Sequence, residues 1–230
     1  MKSLYISQSA IKDFIACNKR YYYRRFFPEE SKKTDEMVVG IIVHTVLEKE
    51  WKDYSNALKL ADELILEYNL SASYIQKITL MVRTFFEFYQ DLVNENDLVE
   101  TKFSVPHFNF IYEGDVSLVG KFDRINLERN TIIDWKTGKL PYPNDIQSII
   151  YYNTYKQLYN RSPTLIYVSL SETKMSTYIP DQLYTDILYN EIIPSMIEAI
   201  KSDSYSHTGL FTWACKRCNY KDFCFKELGK

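Results

Sequence analysis

The stretch Gly120–Gly138, GKFDRINLERNTIIDWKTG, decides how the rest of the chain is read. Two runs rich in β-branched and aromatic residues flank a polar turn, the pattern of a strand hairpin. They carry Asp123, Asp134 and Lys136 where strands would otherwise offer core. A hairpin closed by the four-residue loop Leu127–Asn130 sets Asp123 opposite Asp134. Side chains alternate along a strand, so Lys136 projects from the same face as Asp134, while Trp135 and Arg124 belong to the other. Facing like charges on neighbouring strands cost roughly 0.2–1 kcal/mol, and more when shielded from water, so the pattern needs a compensating cation. A divalent metal is one candidate; Lys136 bridging the acids on a solvated sheet edge is the other.

The remainder of the chain reads as an α/β protein. Ser7 or Ser9 can cap a first helix carrying Ile11, Phe14 and Ile15, with Cys17 at its end, and Pro28–Lys33 looks like a polar loop. Val39, Ile42, Val43, Val46 and Leu47 form an apolar stripe that predicts a long helix over 35–68, and a second helical pattern covers 73–94. Strands are expected at 102–112, 116–127 and 131–136, as a meander with turns at 112–115 and 128–130. Pro143 and Asn144 then open a helix through Tyr159, followed by strands at 164–171 and 174–179 and a helix over 180–201. The whole is read as one domain, 1–230: an N-terminal helical region over 1–95, an α/β core over 100–201 with a mixed sheet, and a cysteine-bearing tail over 205–230.

With 230 residues, 46% of them hydrophobic and 25% charged, the chain can bury one substantial core. The longest apolar runs, VVGIIV and LIYVSL, fall far short of a membrane span, and no charged start leads into an apolar run near Met1, so a cytoplasmic address without membrane contact is expected. A net charge of −2 gives no global attraction to a polyanion. Any such site must be a local concentration of cations, and NKRYYYRRFF, with Lys19, Arg20, Arg24 and Arg25 and no acid, is the candidate.

GKFDRI followed by IIDWKTG resembles the second and third motifs of the PD-(D/E)XK nucleases of the RecB-like type. Gly40-Ile-Ile-Val-His44 is similar to that family's Gly-x-x-x-His motif, and Gln147-Ser-Ile-Ile-Tyr151 to its Gln-x-x-x-Tyr motif. Alone, a histidine on an apolar helix is a packing residue, and Gln and Tyr four apart are neighbours on one face; four motifs in order say more. The resemblance implies a restriction-endonuclease-like core and hydrolysis of DNA. It implies metal ligation by His44, Asp123, Asp134 and the carbonyl of Trp135, catalysis by Lys136, and supporting roles for Gln147 and Tyr151. The residue types suit that chemistry: phosphodiester hydrolysis needs charge neutralised on the phosphoryl group and a nucleophile at neutral pH, and carboxylates with one imidazole suit Mg²⁺ or Mn²⁺. Lys136 beside the metal can orient or help deprotonate the attacking water.

Cys215-Lys-Arg-Cys218 and then Cys224 put three thiols in the tail, and Cys17 is the fourth. Three clustered thiols in a chain without a secretory start favour metal over disulfides. Spacing alone leaves zinc open, and His207 could replace Cys17. One cysteine before a nuclease core and three after it resembles the RecB-like subset that binds a 4Fe–4S cluster, including CRISPR-associated exonucleases and AddB-type helicase–nuclease subunits, although Asn18 stands where that family often has proline. The cluster would staple residue 17 to the tail. NKRYYYRRFF could stack bases and contact phosphates, or its tyrosines could pack the first helix on the core. The resemblance implies single-stranded DNA degraded from an end, 5′ to 3′, in spacer acquisition, repair, recombination or viral DNA processing. No phosphate-binding Gly-x-x-x-x-Gly-Lys-Ser/Thr is present, so unwinding would come from a helicase, and CRISPR integrase proteins are the other expected partners. The competing reading is a catalytically weak DNA-binding subunit of a larger complex.

Overall fold

The strand that carries Asp134 is a central one. β4 (Thr131–Lys136) pairs antiparallel with the end of β3 (Val116–Asn126) and parallel with β5 (Thr164–Ser169), and β5 pairs antiparallel with β6 (Lys174–Tyr178). A further strand, β2 (Leu98–Pro106), also pairs with β3. The computed structural model describes residues 3–30, 34–107, 114–210 and 212–229. They gather into two units, one formed by Met1–Lys32, Ser104–Gly120 and Asp181–Lys230, the other by Lys33–Phe103 and Lys121–Pro180.

In the second unit helices lie on both faces of the mixed sheet. Ile133 and Trp135 of β4 and Val168 of β5 join one core with α3 (Asp35–Lys49), α4 (Tyr54–Glu67) and α5 (Ala72–Phe88). The alternate residues of β4, Asp134 and Lys136, meet Gln147 on α6 (Ile146–Tyr159), as the two-residue period of a strand demands. Tyr151 of α6 packs edge-on against Phe122 and Phe103. Five of the six β4 residues are buried, which explains a strand reading IID rather than an alternating pattern.

The helix expected over 35–68 is two helices. The first ends at Lys49, and Asp53 starts α4 by accepting the Asn56 N–H at 2.9 Å, which satisfies one of the donors a helix start leaves open. The stripe continues through Ala57, Ala61 and Ile65 on α4, so hydrophobic period alone carries no trace of the break. The helix expected over 73–94 ends at Phe88 and is followed by a 3₁₀ turn at Gln90–Leu92. The strand expected at 102–112 is observed as Leu98–Pro106; residues 108–112, turn residues 112–113 and loop residues 31–33 lie outside the described residues.

In the first unit, β1 (Leu4–Ser7) lies parallel to Val116–Val119 of β3. A four-residue strand whose partner is more than a hundred residues away has no local signature. Ser7 caps α1 (Gln8–Ala16), and Cys17, in extended conformation, separates it from α2 (Asn18–Phe26). The helix expected at 180–201 is α7 (Gln182–Ile187), a π-helical turn (Leu188–Ile192) and α8 (Ile193–Lys201). Pro194 in the first turn of α8 offers no N–H to the ladder, and the wider turn just before it accommodates that loss. The tail forms α9 (Trp213–Lys216) and α10 (Lys221–Glu227). Among the described residues no helix is long and apolar enough to cross a membrane.

Phe85 on α5 is fully buried, with its ring edge-on to Trp135 at 5.3 Å, and it is the contact that presses α5 onto β4. Phe85→Ala is expected to lower unfolding stability by about 3–5 kcal/mol, read as a shifted urea midpoint, because the site cannot collapse around a lost ring.

Candidate active site

Asp123 stands where the hairpin ceases to be a ladder. The pairing runs from Asn126–Thr131 through Ile125–Ile132 to Arg124–Ile133, the register that the four-residue loop implies, and stops there. Asp123 Oδ2 accepts the Trp135 N–H at 3.0 Å and lies 3.4 Å from Nδ1 of His44. His44 comes from α3, where Val43, Val46 and Leu47 are buried and hold the helix face that presents the imidazole.

Asp134 is buried and belongs to a closed polar ring. Its Oδ1 accepts from Nε2 of Gln147 at 2.6 Å, and its Oδ2 lies 2.5 Å from Lys136 Nζ. Lys136 Nζ donates in turn to Gln147 Oε1 at 2.8 Å and sits 5.4 Å from the centre of the Tyr167 ring. Asp145 caps α6 by accepting the Gln147 N–H at 2.9 Å, which places that side chain in the first turn, over the strand ends. Gln147 therefore holds both Asp134 and Lys136. Tyr151 is brought to the site differently: it is buried, and its hydroxyl donates to the carbonyl of Lys121 on β3.

Burial and charge separate the two aspartates. Burial pushes the Asp134 carboxyl up, the Asp123 charge adds to this, and Lys136 only partly offsets them, leaving it at about 6. Burial would also raise Asp123, but His44, Lys136 and the Trp135 N–H outweigh it and hold that carboxyl below the usual aspartate range. Burial would lower His44, yet the neighbouring Asp123 and Asp134 hold its proton on and raise it. Asp123 is thus the more acidic of the two carboxyls.

Glu100, at the start of β2, is the site residue that sequence reading missed. Ligand atoms of His44, Glu100 and Asp123 all lie within 4.8 Å of one another, the one such group among the described residues. Glu100 has a left-handed backbone, φ 50°, and its carboxylate is paired with Lys121. Nothing in Leu98-Val-Glu-Thr-Lys102 marks it, since an acid at a strand start is ordinary and the backbone turn that aims it is invisible in the text. Carboxylates with one imidazole, some of them already ionised, fit a divalent cation of the Mg²⁺ or Mn²⁺ kind.

In the first unit the four cysteines are free and half-buried, and all line one cavity with Lys19, Arg20 and Lys221. His207 lines it too, with its buried Nε2 lacking a hydrogen-bond partner. The turn after α8 is seated on Cys17: Lys19 N–H donates to Ser206 O at 3.0 Å, and Asn18 N–H to Thr208 Oγ1 at 3.0 Å. Part of NKRYYYRRFF is committed to packing and ion pairing. Tyr21 and Tyr23 are buried, and Arg20 and Arg24 both grip the buried Asp13, at 2.8 and 2.6 Å.

The PD-(D/E)XK nuclease superfamily profile matches residues 5–225, and the chain belongs to that superfamily. The α/β arrangement with a mixed sheet flanked by helices is its restriction-endonuclease-like fold. A crystal structure described as "Putative exonuclease" from Eubacterium rectale aligns with a TM-score of 0.62 at 11% identity, covering 92% of this chain and 87% of that one. The crystal structure of SSO0001 aligns with a TM-score of 0.47 at 14% identity over 97% of this chain and 87% of the other. No curated protein matches. The family brings DNA as substrate and divalent metal as its requirement, and His44, Glu100 and Asp123 are a group able to hold one.

A cation held at this site would compete with protons on Asp134 and His44, both of which are raised, so its affinity is expected to rise with pH. Calorimetric titration with Mn²⁺ is expected to show tightening from about pH 5.5 to about pH 8 with proton release, and Asp134→Asn is expected to flatten the portion of that rise near pH 6.

Proposed function

We propose that this protein is a Mg²⁺- or Mn²⁺-dependent DNA exonuclease of the RecB-like type, acting on single-stranded ends with 5′ to 3′ polarity and carrying a 4Fe–4S cluster. The observation that carries the reading is the gathering of His44, Asp123, Asp134 and Lys136 from one helix and two strands. The exonuclease name borne by the Eubacterium rectale fold neighbour agrees with it. Polarity and strand preference rest on the likeness to cluster-bearing RecB-like nucleases.

We assign each residue of the site a task. His44, Asp123 and Asp134, with the carbonyl of Trp135, are the donors for the metal, which supplies Lewis-acid charge against the phosphoryl oxygens and lowers the proton affinity of water. Lys136 is a fixed ammonium beside the carboxylates, suited to orienting water and steadying developing negative charge. Gln147 holds the Asp134–Lys136 ion pair in place by bonding to each partner. Tyr151 positions β3 through the Lys121 carbonyl.

We read the four thiols, which line one cavity, as cluster ligands on the likeness to cluster-bearing RecB-like nucleases. Lys19, Arg20 and Lys221 offset the negative charge of four thiolates. The cluster's role is to tie Cys17 to the tail across nearly the whole chain.

End-labelled single-stranded DNA is expected to be shortened only when Mg²⁺ or Mn²⁺ is present, and Asp134→Ala or Lys136→Ala to reduce the rate by at least about 100-fold. Unchanged cleavage in both variants would refute the assignment. Purified protein is expected to be brown, and Cys215→Ser colourless. A β-carbon at Gly209 would sit 2.6 Å from the Ala16 carbonyl oxygen and 2.8 Å from the Cys17 β-carbon. Gly209→Ala is therefore expected to lower iron content, measured by chelation assay, without altering any thiol.

A further inference from the structure

Glu100 and Lys121 form a pair whose position is hard to explain by stability alone. Glu100 is largely buried, Lys121 is half-exposed, and an ion pair of that kind contributes little. To make it, Glu100 adopts a left-handed backbone that disfavours any residue but glycine, a cost of about 1 kcal/mol or more that is commonly retained where function requires it. The same conformation brings the Glu100 carboxylate to within 4.8 Å of the donor atoms of His44 and Asp123. Lys121 lies two residues before Asp123 on β3, and its carbonyl is held by the buried Tyr151 hydroxyl, so its backbone is pinned beside the site while its half-exposed side chain reaches Glu100.

We propose that Glu100 is a further ligand of the divalent metal and that Lys121 is its placeholder, neutralising the carboxylate until metal arrives and then turning to a phosphate of the DNA strand. The inference rests on the nuclease reading of the site. A third carboxylate would otherwise repel Asp123 and Asp134 in the metal-free protein, and the ammonium removes that repulsion without occupying the donor atoms of His44 or Asp123. When a dication takes over the Glu100 charge, the lysine loses its partner at the place where a polyanion must lie. Metal binding and strand binding thereby favour each other, and the coupling is reciprocal. No bond is made or broken in this exchange beyond ion pairing.

The pair of substitutions separates the two halves of the idea because their effects on metal have opposite sign. Mn²⁺ is titrated calorimetrically into the full chain with its cysteine site loaded, without DNA. Glu100→Gln is expected to weaken Mn²⁺ binding by about 10-fold or more, as loss of a charged ligand does. Lys121→Met is expected to tighten it by about 3-fold, because the competing cation is gone. A fluorescein-labelled phosphorothioate oligothymidine then reports strand binding by anisotropy with and without Ca²⁺. Wild type is expected to bind more tightly with Ca²⁺, and Lys121→Met to lose most of that gain. Circular dichroism melting checks folding, and Lys121→Gln repeats the test with a polar side chain. The proposal is overturned if folded Glu100→Gln keeps its Mn²⁺ affinity within about 2-fold, or if both Lys121 variants bind Mn²⁺ more weakly than wild type. Failure of wild type itself to bind Mn²⁺ would sink the nuclease reading instead, so the two failures are distinguishable.

Discussion

Two carboxylates with little access to water, Asp123 and Asp134, at the end of a strand pairing set the terms for everything around them. Buried like charges are tolerated only if the surroundings supply cations and donors, or if one group stays protonated. The first remedy is the one present: Asp123 is held ionised by His44 and the Trp135 N–H, and Asp134, pushed up to about 6 by burial, is bound by Lys136 and Gln147. The site is therefore a set of polar groups partnered with one another. Such an arrangement costs stability and is retained for chemistry.

The scaffold follows from the need to bring those groups together. β4 must be central so that one face can be sealed by α3, α4 and α5 while the other carries Asp134 and Lys136 toward α6. Trp135, between two site residues, points into the sealed face and meets Phe85. A single strand thus alternates between packing and chemistry, residue by residue. On the reverse side of β3, Arg124 is stacked over Trp51 and paired with Asp97, which also takes a bond from Asn126. The register of β3 is consequently held from both faces, and a slip of one residue would send Asp123 into the core and Arg124 into the site.

Sequence legibility was uneven for identifiable reasons. Loop length fixes hairpin register, so the pairing of Arg124 with Ile133 was readable from Leu127–Asn130 alone. Local caps and apolar stripes marked α1, α3 and α6. The break at Asp53 was hidden because the stripe resumes in phase on α4. β1 was hidden because its partner, Val116–Val119, is remote. The tyrosines of NKRYYYRRFF allowed base stacking or packing equally until their burial assigned Tyr21 and Tyr23 to packing.

What the sequence determined by itself was the chemical inventory and its local spacing: two aspartates and a lysine on adjoining strands, a histidine and a glutamine on helices, and four thiols split one and three. Residue type and short-range periodicity are local properties, and a chain carries them whether folded or not. Tertiary structure alone decided that Glu100 joins His44 and Asp123, that Gln147 bridges Asp134 and Lys136, and that the four sulfurs share one cavity. Those facts depend on distances between residues far apart in the chain and on a backbone turn at Glu100, and only the packing of helices and strands sets them.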